Sequence, residues 1–126
     1  MQNAINWFEL PATDFERAVS FYEAVLAAPL RREIFVGVPH AIFSSDKDGM
    51  TGAIIAGALV VGGEPRPSQA GPVIYLNAGD QLAAILGRVA AAGGSVIAPA
   101  TPIGPEGQIA LFLDSEGNRV GLHQGA

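Results

Sequence analysis

Hydrophobic and polar positions alternate through "INWFELPATD", Ile5 to Asp14, with Trp7 and Glu9 on one side and Phe8 and Leu10 on the other. A period of two predicts a strand with one core face and one face that carries an indole and a carboxylate. At Asp14 the period lengthens. Phe15, Ala18, Val19, Tyr22, Val25 and Leu26 recur at helical spacing, Asp14 is placed to cap the first turn, and Pro29 closes the segment. Three strand-like runs follow, "REIFV", "HAIFSS" and "TGAIIAGALV", the last two joined by the turn "DKDG". The same order then returns. "GPVIYLNAG" alternates as a strand, and Asp80 is expected to cap a helix built on Leu82, Ile85, Leu86 and Val89, which Gly93 and Gly94 end. "SVIAPA", "QIALFLD" and "RVGLH" complete it, with "DSEG" joining the last two.

The two halves keep step. Asp14 and Asp80 are 66 residues apart, and Asp46 and Asp114, which open the two matching turns, are 68 apart. The pattern β-α-β-β-β occurs twice, which indicates a duplicated unit rather than a solenoid. The expected organisation is one domain over residues 1–126: a first module over about 1–62, a Gly/Pro/Ser-rich linker over about 63–70, and a second module over about 71–126.

Composition narrows the function classes. Hydrophobic residues make up 49% and charged residues 15%, so a chain of 126 residues can bury a core without staples. A net charge of −5 with seven scattered Lys/Arg speaks against nucleic acid or an anionic membrane as partner. The absence of cysteine excludes thiolate metal sites, thiol nucleophiles and disulfides. "MQNAINWFEL" lacks a signal-peptide pattern, and "GMTGAIIAGALVVGG" is too short and glycine-rich to span a bilayer, so a cytoplasmic protein is expected. No nucleotide-binding glycine pattern, H-E-x-x-H or G-x-S-x-G occurs.

The β-α-β-β-β duplication, with "DFERAVSFY" after the first strand and "DSEGNRVGLH" at the end, resembles the vicinal oxygen chelate superfamily of glyoxalase I, bleomycin-resistance proteins and extradiol dioxygenases. Within it the chain looks most like the small "WFE…GNRxGLH" proteins called glyoxalase-like. The resemblance implies an α+β fold in which two tandem βαβββ modules form a cupped mixed β-sheet around a site, commonly in a homodimer. It also implies metal ligands on the first and last strands of each module in the metal-dependent members. Those ligand positions fall on Trp7, Ala53, Val73 and Gly121, none of which can ligate a divalent metal. No cofactor is therefore expected.

One layer along the same faces stand Glu9, Ile55, Tyr75 and His123. Glu9 and His123 are the candidate acid–base groups. Trp7, Tyr75 and Asn77 are candidate ligand contacts, and Gly121 is expected to leave room beside His123. His40 reads as a surface histidine and "GPEG", Gly104–Gly107, as a turn or a loop over the cup mouth. Three functions fit: a metal-free enzyme using Glu9 and His123, a metalloenzyme with those two as ligands, and a binding module that sequesters an aromatic or cationic small molecule. All three take a small molecule as partner.

Overall fold

A computed structural model of the chain describes residues 5–43, 51–56 and 66–126. In the first half, β1 (Trp7–Ala12) leads into α1 (Phe15–Leu26), followed by β2 (Arg31–Phe35), β3 (Val38–Ile42) and β4 (Thr51–Ala56). In the second half, β5 (Ile74–Asn77) leads into α2 (Leu82–Ala92), then β6 (Ser95–Pro102), a single 3-10 turn at Gly104–Glu106, β7 (Gln108–Leu113) and β8 (Arg119–Gln124). Each half forms its own four-stranded mixed sheet, ordered β1-β4-β3-β2 and β5-β8-β7-β6. In each, the strand before the helix runs parallel to the last strand, and the remaining pairs are antiparallel. The "DKDG" turn, the ends of the "HAIFSS" and "TGAIIAGALV" runs, and linker residues 63–65 lie outside the described residues.

The first helix starts where its sequence says it should. Asp14 has an extended backbone, and its Oδ1 accepts the Arg17 N–H at 3.1 Å. The helix ends with Ala27 in the left-handed region, and Pro29 follows. The second start corrects the expectation for Asp80. The helix begins one residue later, with Gln81 at the cap position and no side-chain cap of its own. A turn closes first: Asn77 Oδ1 accepts the Gly79 N–H, and Gln81 N–H donates to the Ala78 carbonyl. The Leu82 N–H is taken by Gln124 Oε1 on β8, a cap supplied from a distant strand.

Both helices pack on one face of the sheets and on each other, and one core joins the halves through Leu10, Ala18, Tyr22, Val25, Ile54, Leu82, Val89, Phe112 and Leu122. The "DSEGN" turn of the second module grips α1. Asp114, 4% exposed, accepts the Tyr22 hydroxyl at 2.7 Å, and Glu116 accepts the Asp14 N–H and the Arg17 guanidinium. Asn118 Nδ2 donates to the Pro11 carbonyl at the end of β1. These contacts tie the two modules together within the chain. Among the described residues no helix is long and apolar enough to cross a membrane.

Candidate functional site

The faces turned away from the helices carry the candidate groups. Cross-strand partners share a face, so the register places Trp7, Glu9 and Pro11 of β1 beside Thr51, Ala53 and Ile55 of β4, then His40 and Ile42 of β3, then Arg31, Glu33 and Phe35 of β2. Ile42, Ala53 and Ile55 form an apolar floor shielded from solvent and separate from the main core. On this floor stand a carboxylate and an imidazole. His40 Nε2 lies 3.6 Å from Glu9 Oε2.

Glu9 and His40 belong to strands separated by β4, so they meet only by reaching across it. Strands lie about 4.8 Å apart, and a glutamate can bridge two such spacings only over a low neighbour. Ala53, directly opposite Glu9, provides it with a single methyl group. His40 is 8% exposed, which corrects its reading as a surface histidine. Its Nδ1 lies 2.8 Å from the Val38 carbonyl oxygen. A carbonyl can only accept, so Nδ1 carries a proton, and in the neutral ring Nε2 is a bare acceptor facing Glu9. The Phe35 ring meets the imidazole edge to face, with centroids 5.0 Å apart. Trp7, 41% exposed, directs its indole N–H to Glu9 Oε2 at 3.4 Å, a long contact.

The second sheet holds the remaining candidates. Tyr75 pairs with Gly121 and Asn77 with His123 in register on the helix-free face. The space beside Gly121 is filled: a Cβ there would lie 2.3 to 2.9 Å from Tyr75 ring atoms, so the glycine lets that ring lie against β8. Asn77 spends its side-chain oxygen on the turn before α2. His123 Nε2 is 2.7 Å from the Glu106 carbonyl, so the 3-10 turn of "GPEG" packs against this histidine. Among the described residues no hydrogen bond or ion pair joins Glu9 to His123. The structure thus brings Glu9 together with Trp7 and His40, and Tyr75 together with Gly121.

At the positions where the resemblance implies metal ligands, the residues present do not fit a divalent metal. Trp7, Ala53, Val73 and Gly121 offer no donor, Tyr75 fills the space at Gly121, and no group of three His, Cys, Asp or Glu side chains occurs among the described residues. A hollow of about 570 Å³ opens beside the β2 edge of the first sheet, lined by Phe15 and Glu16 of α1, Arg32, Glu33 and Ile34 of β2, and Pro39 and His40 of β3, so it shares His40 with the pair above. Arg32 there is already held by Glu16 at 2.6 and 2.8 Å, so the hollow presents no uncommitted charge from that pair.

The family model described as "Glyoxalase/Bleomycin resistance protein/Dioxygenase superfamily" matches residues 4–122. No curated protein sequence matches significantly. Among solved structures, a glyoxalase/bleomycin resistance protein from Albidiferax ferrireducens is similar over 97% of this chain and 99% of its own, at 18% identity and a TM-score of 0.72. An antibiotic binding protein from a Streptomyces species is similar over 98% and 97%, at 24% identity and a TM-score of 0.68. A glyoxalase-related enzyme from Fulvimarina pelagi covers 99% of this chain with 89% of its own, at 18% identity and a TM-score of 0.66. These likenesses establish a shared fold.

Proposed function

The chain belongs to the glyoxalase/bleomycin resistance protein/dioxygenase superfamily, and we propose that it binds a small organic molecule against the helix-free face of its first sheet. The observation that carries this reading is the meeting of Glu9 and His40 over the buried floor of Ile42, Ala53 and Ile55. Polar groups on an apolar floor lower stability unless they are satisfied, and such convergence is what ligand sites share. Trp7, at the edge of the same face and 41% exposed, supplies a flat wall. Tyr75, Asn77, Gly121 and His123 form the further wall in this reading. The fold shared with an antibiotic binding protein is consistent with a sequestering role.

A second reading makes Glu9 an acid–base group acting on the bound molecule, with His123 as the partner expected from the sequence. The observation that favours chemistry at Glu9 is its contact with His40, whose Nε2 can exchange a proton with the carboxylate. One variant tests both readings. Glu9→Gln keeps shape and removes charge. A library hit that binds the wild type and loses about tenfold or more in affinity, or about 1.4 kcal/mol, supports the site. Hits bound equally well by both proteins would place the ligand elsewhere. Turnover of such a hit that disappears in the variant would make the protein an enzyme.

A further inference from the structure

His40 is fixed by its own strand, and that fixes what Glu9 can receive. The Val38 carbonyl holds the Nδ1 proton, so in its neutral form the imidazole turns a lone pair toward the Glu9 carboxylate, 3.6 Å away. Two acceptors at that distance repel unless something with protons stands between them or beside them. Among the described residues, the groups that face the imidazole do not supply one. From β2, Glu33 lies directly opposite and binds Arg31 at 2.6 Å, and Phe35 presents a ring. From β4 come only Ala53 and Ile55, and from β1 the Trp7 N–H reaches the carboxylate rather than the imidazole.

We propose that the Glu9–His40 pair receives a protonated primary amine, and that His40 sets this preference through its held ring orientation. The proposal rests on the reading of this face as the ligand site. One ammonium nitrogen carries three N–H donors and can stand about 2.9 Å from each acceptor at once. Its charge is complementary to Glu9. A hydroxyl has one proton and satisfies one acceptor. A carboxylate adds a third acceptor and a second negative charge beside Glu9. Trp7 on the Glu9 side and Phe35 on the His40 side, each 41% exposed, offer aromatic surface to the body of the ligand. The ligand class is an arylalkyl amine.

The chain has one tryptophan, and it lies at this site, so Trp7 emission reports binding there. The experiment titrates the full chain near neutral pH with phenethylamine, phenethyl alcohol and hydrocinnamate, which share an aryl group and differ in the polar end. The amine is expected to bind at least about tenfold more tightly than the alcohol, with hydrocinnamate weakest. Glu9→Gln and His40→Gln, each first checked for a wild-type thermal transition, are expected to abolish that preference. Glu9 is half-exposed, so its variant keeps the test open where the His40 variant fails to fold. Equal binding of all three, or hydrocinnamate bound best, overturns the amine inference and leaves the small-molecule reading standing. A preference that survives in Glu9→Gln also overturns it. Binding of none at about 1 mM, a free energy weaker than about 4 kcal/mol, overturns the reading of this face as a ligand site and the inference with it.

Discussion

Replacing Tyr22 by Phe removes one oxygen from the joint between the modules and leaves the ring in place. Tyr22 is fully buried among Phe21, Phe43 and Phe112, with centroids 4.9, 5.3 and 6.5 Å away. Its hydroxyl donates to Asp114 Oδ2, which among the described residues is otherwise met only by Asn118 Nδ2 at 3.1 Å, while Oδ1 takes the Glu116 and Asn118 N–H groups. The variant therefore strips a charge-assisted bond from a buried carboxylate, at a cost of about 1.5–3 kcal/mol. Taking about 2 kcal/mol and about 3–5 °C per kcal/mol for a chain of this size, the melting midpoint falls by about 6–10 °C. In urea the midpoint should fall with an unchanged slope, since the surface exposed on unfolding is the same.

The same hydroxyl gives a pH signature. Burial first, then the charge and hydrogen bond of Asp114, push it well above its ordinary value. The folded protein keeps this proton after the unfolded chain has lost it. Wild-type stability from this group is complete below about pH 10 and declines above it, by up to about 1.4 kcal/mol per pH unit, while the Phe variant has no such loss. The stability gap between the two proteins should narrow in alkali. A midpoint shift equivalent to less than about 0.5 kcal/mol at neutral pH, or a gap that stays constant above pH 10, would refute the bond's place in holding the modules together.

Glu116→Gln should destabilise the fold at neutral pH by about 1–2 kcal/mol, near the lower range for charged hydrogen bonds because Arg17 is half-exposed. Burial pushes the Glu116 carboxyl up, but bonds from Arg17, the Asp14 N–H and Ser115 outweigh it and leave the carboxyl below its ordinary value. Its contribution is then present above about pH 4.5 and lost as acid protonates the folded form, so denaturation curves of variant and wild type should converge in acid. Val36→Asn should raise the melting midpoint: Val36 has φ +54° at the β2–β3 turn and is 87% exposed, so relief of about 1 kcal/mol of left-handed strain comes with little lost packing. A lower midpoint would show that Val36 has a partner. Trp7, Ile34, Phe35, Val96 and Ile97 are exposed as well, and the expected homodimer would cover part of this surface; a monomer mass by light scattering at micromolar concentration would exclude it.

The fold was legible because its signals are local and repeated. The change of period at Asp14, the cap itself and the Asp-initiated turn before β8 each rest on a few neighbouring residues, and the second module restates the first. Asp80 misled because its turn is one residue longer than the match assumed. Asn77 and Gly79 shape that turn, and the missing cap comes from Gln124, 42 positions away, a distance at which local pattern carries no information. Trp7 and Glu9 were legible for the opposite reason to His40. β1 has one exposed edge face, so its alternation survives in the sequence. In β3, His40, Ala41 and Ile42 are all buried, and a strand covered on both faces has no alternation to read.

What joins Glu9 to His40 is the residue between them. Position 53 is where metal-dependent relatives are expected to carry a ligand, and in this chain it is alanine, directly opposite Glu9 on the central strand. A glutamate or histidine there would rise from the floor between carboxylate and imidazole and hold them apart. With a methyl group, the two side chains close to 3.6 Å across β4. Position by position the chain shows only an alanine at 53; the pair itself depends on a contact between β1 and β3 that exists only once β4 has paired with both.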